Sequence, residues 1–274
     1  KAHLYKQILI SLRLNPAHKN IRIQIREQLD FATVLYQKGL YKQSLKLLDK
    51  AKTFALENEE KNIAYEIVEL EKVIETQFIT RSLSNRADQL SEQAKTLSQQ
   101  NVIASKLSNL SLQLYSHLLQ NGYVKNNEEL EFINSYFYSK LPKYDFNTFG
   151  FREKLWLYKS HLWFSFLTQD FLQSYKYAKK WVGLFQENKK LIALHPVFYL
   201  KGKNYLLEAS FFVKKISTFK EELQSFEEDI AQDYIPLNTN TEVLLFQYIY
   251  ANKLHLHFLE ATFSEGEYLV AIIN

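Results

Sequence analysis

The fold of this chain is decided by residues 25–56, which read IREQLDFATVLYQKGLYKQSLKLLDKAKTFAL. From residue 41 onward, apolar and small side chains recur at steps of three and four, which places them on one face of an α-helix. Gly39 interrupts this pattern, as expected of a helix C-cap in the left-handed conformation. The stretch therefore predicts two helices joined by a short turn. The residues of the stripe are Tyr41, Ser44, Leu45, Leu48, Ala51 and Ala55.

The helical period continues in both directions. It predicts helices over 2–14, 19–38, 41–57, 60–78, 82–99, 102–121, 127–140, 150–168, 171–187, 196–214, 218–231 and 241–264, with another beginning at 267. The chain has 6 Gly and 4 Pro among 274 residues, against an average usage of roughly 12% for the two together. A sheet-rich protein would need more turn residues, and the sequence has no Gly-rich phosphate loop. The composition favours an all-α protein.

The expected turns between helices are almost regularly spaced. They fall near residues 39, 80, 122, 169, 217 and 266, at intervals of 41, 42, 47, 48 and 49 residues. Repeats of about 20–50 residues are typical of solenoids, in which neighbouring repeats bury each other's apolar faces.

At several positions residues 25–56 resemble a tetratricopeptide (TPR) repeat. The matching residues are Phe31, Ala32 and Leu35 in the first helix, Gly39 and Tyr41 at the turn, and Ser44, Leu48 and Ala51 in the second helix. Gln28 stands where the family has Trp, and no Pro closes the unit. The end of the chain resembles the same turn and second helix through Gly266, Glu267, Tyr268 and Ala271, and the start resembles a second helix closed by Leu14, Asn15 and Pro16.

The resemblance implies an all-α fold, a right-handed α-solenoid of antiparallel helix pairs over residues 1–274. The least regular stretch of the sequence predicts a looser junction at 141–150. Small residues at each crossing allow the paired helices to approach closely. Both ends fall within a repeat, the chain has no Met, and it begins with Lys1. We therefore expect it to be a piece of a longer protein.

The resemblance also implies a function, because TPR domains use the first helix of each pair to line a concave groove that binds a protein or peptide. We expect a non-catalytic scaffold without a cofactor, and the lysines of the groove favour an acidic partner. Alignment by the turns predicts the groove residues Arg26, Thr33, Tyr36, Gln37, Lys159, Trp163, Phe166, Asn204, Phe211, Lys214, Lys215, Lys253 and Glu260. Some TPR domains bind a C-terminal carboxylate with a specific set of Lys, Asn and Arg side chains, the two-carboxylate clamp. We do not expect this clamp here, because other residues occupy the positions of the Asn: Thr33, Ser116, Trp163, Phe211 and Glu260.

The net charge of +4 is concentrated at the beginning of the chain. Residues 1–26 carry six basic side chains and no acidic one, while the other 248 residues carry 28 basic and 30 acidic side chains. The apolar residues Leu4, Ile8 and Leu12 indicate that one face of the basic segment is buried. Nucleic-acid binding is therefore not expected.

Residues 132–185 are rich in rings, with 18 aromatic residues among 54 and all three Trp of the chain. Two interpretations stay open. The rings pack a core between long helices, or some of them line a groove for peptide capture or nucleic-acid stacking.

Several kinds of chemistry find no support in the sequence. The absence of Cys excludes disulfides, a thiolate nucleophile and Cys-based zinc sites. His257 and Glu260 share a helix face at a possible ligand spacing, but no second pair completes a metal site. The sequence has no run of 18 apolar residues and no signal-peptide pattern. We expect a cytoplasmic protein without a membrane span.

Three classes of function remain open. A protein-binding scaffold is the first interpretation. A sensor or regulatory domain of a larger DNA-binding or signalling protein is the second, because both ends of the sequence fall within a repeat. An α-helical enzyme is the third, and the sequence shows no group of polar side chains that would converge on an active site.

Overall fold

A computed structural model describes residues 2–14, 20–77, 85–143, 146–232 and 234–273. These residues form thirteen α-helices and no strand. The helices are α1 Ala2–Leu14, α2 Ile21–Gln37, α3 Tyr41–Glu57, α4 Lys61–Gln77, α5 Arg86–Asn121, α6 Asn127–Lys140, α7 Phe151–Leu167, α8 Phe171–Glu187, α9 Lys190–Leu194, α10 Pro196–Val213, α11 Ile216–Ala231, α12 Thr239–Glu260 and α13 Phe263–Ile273. The prediction of an all-α protein is confirmed for this part of the chain.

Most predicted helices agree with the structure within three residues at each end, but three predictions are wrong. The helices expected at 82–99 and 102–121 are one continuous helix, α5. The turn expected near 217 lies at Lys214, and the turn expected at Gly266 lies at Ala261. Gly266 is inside α13. The expected turn near 80 and the closing Pro16 lie outside the described residues.

Five connections between consecutive helices have the same backbone geometry. In each, one residue with positive φ ends the helix, and the next backbone N–H donates to a carbonyl five residues earlier, at 2.8 to 3.4 Å. This is the Schellman motif, which satisfies carbonyl groups at a helix end. It joins α2 to α3, α3 to α4, α7 to α8, α10 to α11 and α12 to α13. The residues with positive φ are Gly39, Glu59, Gln169, Lys214 and Ala261.

The chain forms two compact units, a first unit, Lys1–Asn101, and a second unit, Val102–Asn274. The division falls within α5 and not at the looser junction predicted for residues 141–150. In that junction Phe149 is buried with Ile103, Leu107 and Leu157, and residues 146–148 form a turn of 3₁₀-helix. The single solenoid over residues 1–274 stays a prediction.

The first unit is held together by a close contact between α2 and α3. Ala32, Ser44, Leu48 and Ala51 have no exposed surface. The hydroxyl of Ser44 donates a hydrogen bond of 2.7 Å to the carbonyl of Ala32. A side chain as small as Ser or Ala is required where the two backbones come this close.

Replacing Ala51 with Leu is expected to lower the free energy of unfolding by about 1–3 kcal/mol, because the larger side chain overpacks this contact. Ala87→Leu is the matched control, because Ala87 is exposed on α5. Urea unfolding followed by helical circular dichroism measures both. An equal effect of the two substitutions would show that the contact around Ala51 has room for a larger side chain.

The first unit also contains a buried ionic network that joins three helices. Glu71 of α4 has no exposed surface, and its two carboxylate oxygens lie 2.7 Å from Nζ of Lys52 and 3.1 Å from the Arg86 guanidinium. Arg86 also lies 3.5 Å from Glu75. Because Lys52 comes from α3 and Arg86 from α5, the network fixes both helices against α4.

The second unit has a large aromatic core. Its helices pack in chain order, α7 on α8, α8 on α10, α10 on α11 and α12 on α13, and α10 also packs on α12. Much of the aromatic stretch 132–185 is buried, as the core interpretation expects. A Cβ at residue 202 would lie 3.0 Å from the indole nitrogen of Trp181, so only Gly202 lets this indole pack directly on the backbone of α10.

Candidate functional site

Two of the predicted groove residues on α2 are already partnered within the first unit. The Arg26 guanidinium lies 2.8 Å from the carboxylate of Glu66, and the Tyr36 hydroxyl donates to Gln77 at 2.9 Å. Both partners lie on α4. A ligand on this face would compete with these contacts.

The other two predicted groove residues on α2, Thr33 and Gln37, have different surroundings. The Thr33 hydroxyl donates to the carbonyl of Leu29 one turn earlier in its own helix, so it is satisfied locally. Gln37 is exposed at the end of α2. The assignment of these residues to a binding surface stays a prediction.

Two predicted residues of α7 lie in the core. Trp163 is 4% exposed and Phe166 is 2% exposed. The ring centroid of Trp163 lies 4.6 Å from that of Tyr115 and 4.9 Å from that of Tyr205. Rings from α5 and α10 therefore cover Trp163, as the core interpretation of the aromatic stretch expects, and they leave little of its indole open to a groove.

Lys159, the third predicted residue of α7, is half-buried against aromatic rings. Its Nζ lies 4.7 Å from the centroid of Trp156 and 5.7 Å from that of Phe198. Burial, and to a smaller extent the charge of Lys201, lowers the pKa of Lys159 to about 8. Rings stabilise the cation through cation–π attraction, while loss of hydration opposes it.

Lys214 and Lys215 lie at the end of α10, far from Lys159. Lys214 ends α10 in the left-handed conformation, and Nζ of Lys215 lies 5.6 Å from the ring centroid of Tyr175. Lys159 instead contacts Phe198, near the beginning of α10. Because a helix rises 1.5 Å per residue, the two ends of α10 are about 25 Å apart, and these lysines do not form one cluster.

The remaining predicted residues contact neighbouring helices. On α10, Asn204 accepts a hydrogen bond of 2.9 Å from Asn252, and Phe211 stacks on His255 with centroids 4.6 Å apart. These contacts join α10 to α12.

The predicted residues Lys253 and Glu260 are ion-paired with α11. Nζ of Lys253 lies 2.7 Å from the carboxylate of Glu227, and Glu260 pairs with Lys220. The two pairs join α12 to α11 and have partly exposed side chains.

Rings from three helices of the second unit contact one another in succession, and a fourth ring, from α12, lies near enough for its hydroxyl to raise the pKa of Tyr205. We call Tyr115 of α5, Trp163 of α7, Tyr205 of α10 and Tyr248 of α12 the aromatic row. Burial raises the pKa of Tyr205, and the neighbouring hydroxyl of Tyr248 raises it further. The three Tyr side chains are half-buried, whereas Trp163 is buried. The sequence interpretation missed the three Tyr, although they and Trp163 are 48, 42 and 43 residues apart.

Glu208 lies beside the aromatic row, one helical turn after Tyr205. The pKa of each of Tyr123, Tyr205 and Tyr248 is raised, chiefly by burial, and the Glu208 carboxylate contributes in all three. Burial also raises the pKa of Glu208 itself. Among the described residues, none forms an ion pair or a hydrogen bond with the carboxylate of Glu208. A half-buried carboxylate without a counterion is costly.

Two half-buried histidines of the second unit stack on rings. His161 lies between Tyr177 and Phe137, with centroid distances of 4.2 and 4.9 Å, and His195 stacks on Phe151 at 5.4 Å. Burial is the main reason that the pKa of each histidine is lowered to about 4, and nearby basic side chains add to it. Both imidazoles are neutral at pH 7.

The second unit is expected to lose stability when the pH falls from 7 to 5. An unfolded His has a pKa near 6.5 and takes up a proton in this range, whereas His161 and His195 with a pKa of about 4 do not. Stability is therefore present above pH 6.5 and is lost by roughly 1–2 kcal/mol per histidine at pH 5. Urea unfolding followed by Trp fluorescence measures the loss, and His161→Gln should reduce it by the share of one histidine, because burial also lowers the pKa of His255 in the same unit. An unchanged pH dependence in this variant would contradict the assignment.

Two surface hollows lie away from the aromatic row and from the predicted groove residues. One of about 480 Å³ in the first unit borders α3 and α5 at Lys52, Leu56 and Gln93. The other, of about 690 Å³ in the second unit, borders Lys106 and Lys140. Neither is lined by a predicted groove residue.

The described part of the chain offers no cluster of metal ligands, since no group of three or more His, Cys, Asp or Glu side chains there could hold a metal ion. Within the described ranges, no helix has the length and apolar character needed to cross a bilayer. Comparison of the chain with protein-family profiles, with curated proteins and with solved structures finds no match. The candidate site therefore rests on the structure alone: the rings of the aromatic row and the half-buried carboxylate of Glu208.

Proposed function

We propose that the second unit is a TPR-like, right-handed solenoid of antiparallel helix pairs and that it is a non-catalytic scaffold for a protein or peptide. The Schellman turns support the pairing, because connections of two or three residues are typical of antiparallel neighbours. The packing of α10 on both α11 and α12 is the arrangement expected when one pair stacks on the next.

The observation that carries the proposal is the aromatic row. One ring comes from each of α5, α7, α10 and α12, and three of the four rings are half-buried. Tyr side chains are enriched among residues that dominate binding energy, because they combine a large apolar ring with a hydroxyl group. In the proposed solenoid these four helices are the first helices of successive pairs, so the row lies along its groove.

The experiment selects ligands for the full chain from a displayed library of random peptides. A photo-crosslinking group on the selected peptide then reports which helices it contacts. We expect cross-links on α5, α7, α10 and α12. Cross-links confined to α6, α8 or α11, or no selectable peptide, would contradict the proposal.

A pair of Tyr variants tests the contact surface independently. Tyr248→Ala should weaken binding of the selected peptide by about 2 kcal/mol, the loss typical of a binding hot spot. Tyr138→Ala is the matched control, because Tyr138 is 63% exposed on α6, outside the proposed groove. Equal affinities of the two variants would argue against the aromatic row as the contact surface. Circular dichroism of both variants checks that the fold is intact.

A further inference from the structure

The larger of the two surface hollows, of about 690 Å³, lies in the second unit between α5 and the end of α6. On the α5 side it is lined by Lys106, Asn109, Leu110 and Gln113, which recur at steps of three and four and therefore lie on one face of the helix. The last two residues of α6 and residues 141–143 line the other side. We call it the lysine hollow, and it has the size usual for small-molecule sites, roughly 300–1,000 Å³.

The lysine hollow carries three positive charges and, among its described lining residues, no negative one. Lys106, Lys140 and Lys143 are exposed, and none of them forms an ion pair or a side-chain hydrogen bond within the described part of the chain. By contrast, the partly exposed Lys72 and Lys253 lie 2.9 and 2.7 Å from a carboxylate. Like charges gathered at one place repel one another, and an anion in the hollow would relieve this repulsion.

The sequence keeps acidic residues away from the lysine hollow. No Asp or Glu occurs between Glu92 and Glu128, the stretch that contains the α5 side of the hollow. Between Glu131 and Glu153 there is a single acidic residue, Asp145, which lies outside the described residues. The positive charge is therefore a property of both sides of the hollow and not of one lysine.

A hydrogen-bond donor and an apolar floor accompany the lysines. Oε1 of Gln113 accepts a hydrogen bond of 2.5 Å from the hydroxyl of Tyr136, which orients the amide and leaves its NH₂ group as a donor for another partner. Leu110 is 1% exposed and Pro142 is buried, so the floor of the hollow is apolar. Cations, an amide donor and an apolar floor together suit an organic molecule that carries anionic groups.

We propose that the lysine hollow binds a small organic phosphate with two or more negative charges, whose phosphate groups pair with Lys106, Lys140 and Lys143. The amide of Gln113 donates to a phosphate oxygen, and the carbon atoms of the ligand pack on Leu110. All basic side chains that line the hollow are lysines, which bind phosphate as point charges, whereas the planar fork of Arg is better suited to carboxylates. The site lies outside the aromatic row and is independent of the proposed scaffold function.

Two simpler explanations account for only part of this arrangement. Lys140 lies in the last turn of α6, where a cation stabilises the negative end of the helix dipole, but Lys106 lies within α5 and Lys143 lies beyond the end of α6. A polymeric anion such as single-stranded nucleic acid is bound along an extended basic track. The three lysines instead border one hollow, which favours a small ligand.

Two organic phosphates serve as probes, ATP for a nucleotide and fructose 1,6-bisphosphate for a sugar phosphate, with adenosine and fructose as their neutral counterparts. Calorimetric titration of the full chain measures the stoichiometry and affinity, and the side-chain amide resonances of Asn109 and Gln113 locate the bound probe. We expect at least one phosphate to bind saturably, with one molecule per chain, and to shift these resonances, while its neutral counterpart does neither. Binding of one phosphate alone assigns that class of ligand, and binding of both assigns the phosphate groups as the recognised chemistry.

Substitution of single lysines tests the site directly. Lys106→Gln and Lys140→Gln should each weaken the bound probe by about five- to tenfold, because each removes a hydrogen bond between charged groups. Lys179→Gln is the matched control, because it removes the same charge from an exposed position on α8, and it should leave the affinity nearly unchanged. Circular dichroism of the three variants checks that the fold is intact.

Four results would overturn the phosphate site. They are the absence of saturable binding of both probes, equal binding of the neutral counterparts, equal affinities of Lys140→Gln and Lys179→Gln, and tighter binding of a single-stranded oligonucleotide than of either probe. The third would show that net charge and not the hollow attracts the anion, and the fourth would assign a polymeric anion. Because the peptide library tests the scaffold function at the aromatic row, failure of one proposal leaves the other standing.

Discussion

Replacing Glu71 with Gln is expected to lower the free energy of unfolding of the first unit by about 3–5 kcal/mol. Glu71 has no exposed surface, and both of its carboxylate oxygens are used, by Lys52 at 2.7 Å and by Arg86 at 3.1 Å. The neutral amide leaves Lys52, which is 6% exposed, with only the exposed carboxylate of Asp49 at 3.8 Å as a counterion. Urea unfolding followed by circular dichroism measures the loss, and amide hydrogen exchange in α3 and α4 localises it.

Glu69→Gln is the matched control on the same helix. Its carboxylate pairs with Lys72 at 2.9 Å, with side-chain exposures of 41% and 39%, and such surface pairs contribute about 0–1 kcal/mol. The double variant Lys52→Met with Glu71→Leu should lose less stability than Glu71→Gln, because it removes both charges together. Equal losses in Glu69→Gln and Glu71→Gln would show that burial does not set the strength of this network.

The fold could be predicted from the sequence wherever side-chain spacing and turn chemistry agreed. Gly39 was recognised as a turn because glycine readily adopts positive φ, and its φ is 73°. Gly266 misled the interpretation, because α12 ends five residues earlier at Ala261, whose φ is 58°. The hydrogen bond from Thr262 to the carbonyl of His257 holds this conformation in a residue that does not prefer it. A helix that ends at a residue such as Ala261 cannot be recognised from the residue type alone.

The candidate site could be predicted only in part. Trp163 was singled out from the sequence, but its partners were not, because a Tyr or Glu in a helical pattern is ordinary there. What distinguishes Glu208 is its partial burial, which raises the pKa of its carboxyl group. Glu208 and Tyr115 lie far apart in the sequence, yet both contribute to the raised pKa of Tyr248. Periodicity along one helix carries no information about such long-range contributions.

Replacing Trp163 with Ala is expected to lower the free energy of unfolding of the second unit by about 3–5 kcal/mol. The indole is 4% exposed and packs between Tyr115 and Tyr205, so the substitution leaves a cavity between α5, α7 and α10. Fluorescence of Trp156 and Trp181, which belong to the same unit, follows the unfolding in urea.

Two controls separate burial from surface chemistry. Trp156→Ala removes an indole that is only half-buried on the same helix, so its loss should be smaller. Lys214→Ala changes an exposed residue at the end of α10 and should alter stability by no more than about 0.5 kcal/mol. If Trp163→Ala and Trp156→Ala cost the same, the indole of Trp163 is not the packed centre of the row. The affinity of Lys214→Ala for a selected peptide is measured as well. If this affinity falls while Trp163→Ala is strongly destabilised, the peptide contacts the end of α10 rather than the aromatic row. A large stability loss in Trp163→Ala with unchanged peptide affinity in Lys214→Ala is the expected result, because Trp163 packs in the core and Lys214 lies at the end of α10.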